Sequence, residues 1–258
     1  MSIEIFKVRD KSEKNYIKKG DMFDLPMRLL VVGKSFLSGK TNLLTNLLLQ
    51  DDQRLYKDNF KGENIYIFSA SLNTDKKIKT IIRQLDIPDS NLFSVFDEDT
   101  LEALLDITKD NYDESMEENE KPEQTLFILD DMSFGGNLKK HKNGAIAKLF
   151  SNGRHYLASV ILTSQRYADI LTGARENASG CILFKCTDRQ LETIAEDHNF
   201  LVEGKNQFKK MFREVTREPH SFLVVNYSNN PDKLYMNKNF KAIGPCGKVK
   251  GEDCGCLN

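Results

Sequence analysis

Short apolar segments alternate with longer amphipathic segments along most of this 258-residue chain. The apolar segments are typical of strands buried on both faces, and they lie at 29–32, 64–69, 92–96, 125–129, 158–163, 181–186 and 221–226. Apolar side chains at helical spacing predict helices at 42–49, 74–85, 100–108, 145–153, 189–196 and 206–216. Strands that alternate with helices predict an α/β fold with a mainly parallel central sheet flanked by helices.

The first predicted strand leads into a glycine-containing loop and then into a leucine-rich helix. Glycines let backbone N–H groups approach phosphate oxygens, and a helix N-terminus favours anions. In a loop of this kind Lys40 would bind the β- and γ-phosphates of ATP, and the Thr41 hydroxyl would bind Mg²⁺. The residues that we expect at the nucleotide are Gly33, Ser38, Gly39, Lys40, Thr41 and Asn42.

The spacing of this loop departs from the pattern G-x-x-x-x-G-K-[ST]. That pattern requires a glycine at position 34, where the chain has Lys34, and the available Gly33 comes one residue too early. Either the loop is one residue longer, or Lys34 takes the first position with a different backbone geometry. A plain glycine turn before an ordinary helix is the alternative, but the strand–loop–helix context favours a nucleotide site.

Polar side chains end two further predicted strands. Asp130 and Asp131 follow the strand at 125–129, and we expect Asp130 to hold Mg²⁺ and Asp131 to polarise the attacking water as general base. Two aspartates that simply face solvent are the alternative. Gln165 follows the strand at 158–163, where its amide can contact both a γ-phosphate oxygen and that water.

Two arginines are candidates for a residue that a neighbouring subunit inserts into the site. Such a guanidinium neutralises charge on the transferring phosphoryl group. Arg154 and Arg175 both follow predicted elements of the second half of the chain. For Arg154 a structural role is an open alternative, because a cation at a helix C-terminus is favoured by the helix dipole.

We expect the chain to have three parts. A polar arm is expected at residues 1–24, a P-loop ATPase domain, assigned from the phosphate loop, at 25–230, and a flexible tail that contains Cys246, Cys254 and Cys256 at 231–258. The first 123 residues have a net charge of −6 and the remainder +5, and an acidic surface insertion is expected at about 108–123. Lys139, Lys140 and Lys142 are candidate DNA contacts by charge alone.

The cysteines and the hydropathy pattern indicate the kind of cellular compartment in which the protein is expected. Five cysteines, without the paired C-x-x-C spacing of a zinc site, indicate free thiols in a reducing compartment. No apolar run is long enough to span a bilayer, and the first residues lack the apolar stretch of a secretory signal.

Four segments together resemble one family. They are Ser38–Leu44, Phe127–Asp131, Gly153–Tyr156 and Thr163–Arg166, and the set resembles the FtsK–HerA superfamily of P-loop ATPases. Within it the chain is most similar to the genome-packaging ATPases of nucleocytoplasmic large DNA viruses and virophages. The resemblance covers roughly residues 27–226, and Gln165 at the end of its strand is its most specific feature. Asp131 stands where many relatives have Glu.

The resemblance implies a RecA-like (ASCE) P-loop NTPase core in which the Gln165 strand lies between the phosphate-loop strand and the Asp130 strand. It further implies a homo-oligomeric ring, pentameric or hexameric, with ATP at subunit interfaces. Such a ring would move double-stranded DNA into a preformed capsid, with a capsid or portal vertex protein as partner, in the host cytoplasm or the virion.

Three other functions remain open from the sequence. A cellular or plasmid DNA pump of the same superfamily would usually carry a membrane segment or extra domains. A small P-loop kinase would need an acceptor pocket and a lid with arginines. A nucleotide-binding structural protein would not hydrolyse ATP, so detectable hydrolysis would exclude it.

Overall fold

The computed structural model describes residues 11–52, 55–131 and 144–251. Within these residues eight strands form one sheet in the order β3-β2-β4-β5-β1-β6-β7-β8. The strands are β1 Arg28–Val32, β2 Ile65–Ser69, β3 Leu92–Phe93, β4 Thr125–Asp130, β5 Ala158–Ser164, β6 Gly180–Phe184, β7 Phe222–Asn226 and β8 Tyr235–Met236. The expected α/β fold with a mainly parallel sheet is confirmed.

The central strands are parallel, and their carboxyl ends meet at one edge. β1 pairs with β5 and β6, and β4 pairs with β5 and β2, all in parallel register. β5 therefore lies between β1 and β4, as the family resemblance implied. β7 and β8 are added in antiparallel register. Because β7 runs against β6, the segment that leads into β7 returns to the edge where β1 ends.

Helices cover both faces of the sheet. They are α1 Ser35–Ser38, α2 Lys40–Leu49, α3 Lys76–Gln84, α4 Glu98–Glu117, α5 Ala145–Asn152, α6 Thr172–Asn177, α7 Asp188–His198 and α8 Lys205–Val215. Apolar side chains of α4 to α8 form one core with their face of the sheet, and those of α2 and α3 form a second core with the opposite face. The strands between the two layers are consequently buried on both faces.

The acidic segment after residue 108 differs from its prediction. We expected a helix that ends near 108 and a solvated insertion beyond it, but α4 continues to Glu117. The helix is held along its length because Tyr112 packs edge-on against Tyr156, with ring centroids 6.4 Å apart, and Met116 accepts a hydrogen bond from Asn15. Its acidic side chains face solvent, where a helix tolerates them.

The prediction of a flexible tail from residue 231 is wrong for the described residues 231–251. Tyr235 and Met236 form β8 and are buried, and Ile243 is only 3% exposed. The polar arm at 1–24 is also attached over its described part: Ile17 pairs with Leu25, and Phe23 is buried. Apolar side chains, though sparse in both segments, anchor them to the core.

The expectation of free thiols is correct for Cys181 and Cys186, and it is wrong for Cys246, which is disulfide-bonded. Burial raises the pKa of the Cys186 thiol to about 12, so this thiol stays protonated at neutral pH. Cys254 and Cys256 lie outside the described residues. Among the described helices, none is both long and apolar enough to cross a membrane.

Candidate nucleotide-binding site

The loop after β1 wraps closely around Gly33. Its N–H donates to the Ser164 carbonyl at 3.0 Å, which fixes the start of the loop to the end of β5. A Cβ at this position would lie 2.6 Å from Cβ of Ser38 and 2.9 Å from Cβ of Phe184, so a side chain does not fit. Lys34 is extended and exposed. These contacts favour the longer loop, in which Gly33 serves as the first glycine.

Gly39 joins the short helix α1 to α2. Its φ is +82°, a left-handed conformation that glycine adopts without strain. Lys40 begins α2, and its ammonium donates to the Gly33 carbonyl at 2.5 Å across the loop. Burial lowers the pKa of Lys40, while the charges of Asp131 and Asp130 act in the opposite direction. The loop therefore holds a buried cation beside the N-terminus of α2, where an anion is stabilised.

Asp130 ends β4 and is 5% exposed. Three hydroxyl groups donate to its carboxylate: Thr163 at 2.7 Å, Ser69 at 2.9 Å and Ser71 at 3.4 Å. Both serines donate to Oδ2 and Thr163 donates to Oδ1, so with two acceptor positions on each carboxylate oxygen, capacity remains on Oδ1. The neighbouring strands β2 and β5 thus orient Asp130 without using up its ligand capacity.

Asp131 lies next to Gln165. The Gln165 amide donates from Nε2 to Oδ2 of Asp131 at 2.6 Å. The Asp131 N–H donates to the Thr163 hydroxyl at 3.0 Å, so this one hydroxyl contacts both aspartates. Asp131 has a φ of +50°, a conformation that is uncommon for a residue other than glycine and that turns the chain sharply after β4.

Part of this set of residues lines a cavity of about 540 Å³, here called the phosphate cavity. Lys40, Thr41, Asp130, Asp131 and His220 line it. The hydroxyl and carboxylate oxygens of Thr41 and Asp130 are ligands of the kind that Mg²⁺ prefers, and Mg²⁺ usually takes only one or two carboxylates besides phosphate oxygens. The donor set therefore fits the expected magnesium ion.

His220 is a member of the site that the sequence analysis missed. It lies in the segment between α8 and β7, which the antiparallel course of β7 returns to the phosphate loop. A Cβ built on Gly39 would be 3.4 Å from its Nδ1. No local motif marks this histidine. Its position at the site depends on a contact with Gly39, which lies about 180 residues earlier in the chain.

The two candidate arginines lie away from the phosphate cavity of their own chain. Arg154 is exposed and precedes β5, at the edge of the sheet opposite Gln165. Arg175 donates to Asp197 at 2.5 Å and lies over the Tyr167 ring at 5.2 Å, which gives it a structural role within the subunit. Lys139, Lys140 and Lys142 lie outside the described residues.

The sequence profile of the family described as the poxvirus A32 protein matches residues 14–236. The chain belongs to this family. The resemblance to the viral genome-packaging branch of the FtsK–HerA superfamily is thereby confirmed. The match begins within the N-terminal arm and extends to the end of β8, so it includes every strand of the sheet. No curated protein sequence matches the chain significantly.

Solved structures share the fold. The genome-packaging NTPase B204 from Sulfolobus turreted icosahedral virus 2, in complex with AMPPCP, is 17% identical with a TM-score of 0.54, over 81% of this chain and 95% of that chain. EssC (ATPases 2 and 3) from Geobacillus thermodenitrificans is 14% identical with a TM-score of 0.52, over 89% and 41%. The pCW3 conjugation coupling protein TcpA with ATPγS is 14% identical with a TM-score of 0.50, over 80% and 58%. The sheet is that of a RecA-like P-loop ATPase.

Proposed function

We propose that this protein hydrolyses ATP to translocate double-stranded DNA, and that it packages a viral genome into a preformed capsid. The contact between Gln165 and Asp131, beside the buried Lys40, carries the proposal. Asp131 and Lys40 line the phosphate cavity, and Gln165 reaches it through its hydrogen bond to Asp131. A carboxylate, a cation and an amide are the groups that water attack on a γ-phosphate requires, so this contact supports the proposal. Membership in a family of viral genome-packaging NTPases supports the biological setting, in the host cytoplasm or the virion.

The site residues would share the chemistry as follows. Lys40 and the N–H groups at the start of α2 bind the phosphates, and Gly33 and Ser38 shape the loop. Thr41 and Asp130 would hold Mg²⁺, which supplies charge neutralisation on the β- and γ-phosphates. Asp131 takes the proton of the water that attacks the γ-phosphorus, and the bond to ADP breaks. Because Gln165 donates to Asp131 through Nε2, the amide oxygen of Gln165 can accept a hydrogen bond from that water and orient it.

A homo-oligomeric ring would supply what a single subunit lacks. The phosphate cavity is lined by no arginine of its own chain within the described residues. Arg154 is exposed, whereas Arg175 is engaged with Asp197. We therefore favour Arg154 as the residue that a neighbouring subunit contributes, in a pentamer or hexamer whose partner would be a capsid or portal vertex protein.

The first experiment is ATP hydrolysis by the purified protein, with and without double-stranded DNA, beside a Lys40→Ala variant. We expect turnover that DNA stimulates and that Lys40→Ala abolishes. Hydrolysis that survives in this variant would rule out the assigned site. DNA binding should weaken steeply with salt, because phosphate contacts release counterions, and a flat salt response would exclude DNA as the track.

A further inference from the structure

A second cavity continues from the phosphate loop on the side away from Asp130 and Asp131. It has a volume of about 530 Å³ and is here called the base cavity. Gly39 and Asn42 line both cavities, so the two meet at the N-terminus of α2. Buried rings of Phe184 and Phe222 belong to the wall of the base cavity. Its size lies within the usual range of small-molecule sites, about 300–1,000 Å³.

The outer wall of the base cavity is a hairpin at residues 237–241. Asn237 closes it: its N–H donates to the Lys241 carbonyl at 3.0 Å, and its Oδ1 accepts from the N–H groups of Asn239 and Lys241 at 3.0 and 3.2 Å. The Phe240 ring packs edge-on against Phe23 and Phe222, at 6.3 and 6.4 Å. The hairpin is therefore fixed to the core, and it lies just beyond the part of the chain that matches the family.

His220 stands where the two cavities meet, and it lines both. Its side chain is exposed, and its φ is +59°. A left-handed conformation is uncommon for a residue with a side chain, although histidine is enriched among the exceptions. Because the imidazole is close to Gly39 and lines both cavities, a molecule that occupies both would lie beside this ring.

We propose that the base cavity holds the nucleobase and ribose of the bound nucleoside triphosphate, with His220 against the base and the hairpin at 237–241 as the recognition wall. This inference rests on the proposed function. A triphosphate whose γ-phosphate lies by Asp131 has its α-phosphate at the start of α2, and its nucleoside then extends past Gly39 and Asn42. Aromatic and imidazole faces stack on bases, and the polar hairpin can hydrogen-bond their edges.

A third cavity of about 360 Å³ also reaches His220, but it approaches the phosphate loop from the other end, at Lys34 and Ser38. Arg217 and Cys186 line this cavity and not the base cavity. A nucleoside bound there would have to leave the phosphates at the start of the loop rather than at α2. A substitution of Arg217 therefore tests whether the nucleoside binds in the third cavity instead of the base cavity.

The test compares the affinities of ATP and of inorganic triphosphate, which lacks the nucleoside. We expect Asn239→Ala to weaken ATP binding about tenfold and to leave triphosphate binding unchanged. His220 also lines the phosphate cavity, so His220→Asn should weaken ATP binding about tenfold more than it weakens triphosphate binding. Asparagine suits the left-handed conformation at position 220, so the first variant removes the ring with little backbone strain. His155→Ala and Arg217→Ala are matched controls that should bind both molecules like the wild type.

The outcomes separate the two proposals. If the His220 and Asn239 variants bind ATP like the wild type, or lose ATP and triphosphate equally, the base cavity is not the nucleoside site. Loss of ATP binding in Arg217→Ala alone would place the nucleoside in the third cavity and would also overturn the inference. In contrast, a Lys40→Ala variant that binds both molecules like the wild type would contradict the phosphate site itself, and with it the proposed function.

Discussion

The hydroxyl of Thr163 contacts both aspartates of the site, and its removal tests whether these contacts position them. The side chain is 1% exposed, donates to Asp130 at 2.7 Å and accepts the N–H of Asp131 at 3.0 Å. Thr163→Val keeps the branched shape but removes both hydrogen bonds. Asp130 then loses one of its three donors, and the Asp131 N–H loses this acceptor.

The magnitude follows from the two bonds. A hydrogen bond to a charged group contributes about 1.5–3 kcal/mol and a neutral one about 0.5–1.5 kcal/mol, so Thr163→Val should lower the free energy of unfolding by about 2–4 kcal/mol. This corresponds to a fall of about 1 M in the urea midpoint. Because Lys40 and Thr41 are untouched, kcat for ATP should fall more than KM rises.

Thr163→Ser is the matched control, since it keeps the hydroxyl and loses only a methyl group. It should cost about 1 kcal/mol and retain most of the hydrolysis. Urea unfolding and steady-state hydrolysis of both variants give the comparison. If Thr163→Val is as stable and as active as Thr163→Ser, the hydroxyl does not position the two aspartates, and the reasoning is refuted.

Three further predictions follow from single contacts. Gly33→Ala should abolish nucleotide binding and cost about 1–3 kcal/mol in urea unfolding, whereas Gly244→Ala, with open space around its Cβ, should change neither; equal effects would contradict the close packing. Burial lowers the pKa of His198 to about 4. As the pH falls from about 6.5, this histidine is protonated in the unfolded chain before it is protonated in the folded protein, so the free energy of unfolding should fall by about 3 kcal/mol between about pH 6.5 and 4. If a His198→Gln variant shows the same decrease in the free energy of unfolding between about pH 6.5 and 4, measured by urea unfolding at each pH, this prediction is refuted. Arg175→Ala should lower stability by about 1–3 kcal/mol and Arg154→Ala should not; an unchanged melting temperature for Arg175→Ala would reopen its catalytic role.

Much of the phosphate site could be predicted from the sequence because its parts follow strands. The apolar runs before Gly33, Asp130 and Gln165 are continuous, and parallel strands bring their carboxyl ends to one edge. The contact between Gln165 and Asp131 is a consequence of β4 and β5 being neighbours. Local pattern and topology therefore agree at this edge of the sheet.

The parts that escaped prediction depend on packing between distant segments. Nothing in the residues around His220 indicates that an antiparallel strand returns them to Gly39. The hairpin at 237–241 follows a sequence with few apolar residues. Buried Met236, the ring of Phe240 and the ion pair between Lys238 and Glu218 attach it to distant segments. Likewise, acidity suggested an unstructured insertion after 108, where the contact between Tyr112 and Tyr156 stabilises a helix.

Strand β5 offers a route by which one subunit could respond to two nucleotides. Its carboxyl end is followed by Gln165, which contacts Asp131 in the same subunit, and Arg154 lies four residues before its first residue, Ala158. Seven residues at about 3.3 Å each separate these ends by about 20 Å. In a head-to-tail ring each subunit presents two different surfaces to its neighbours. If Gln165 contacts the γ-phosphate as proposed and Arg154 enters the neighbour's site, a buried strand that is hydrogen-bonded on both sides joins Gln165 of one site to the arginine of the next. Mixed rings that contain Arg154→Ala subunits would then lose hydrolysis in their neighbours and not in themselves.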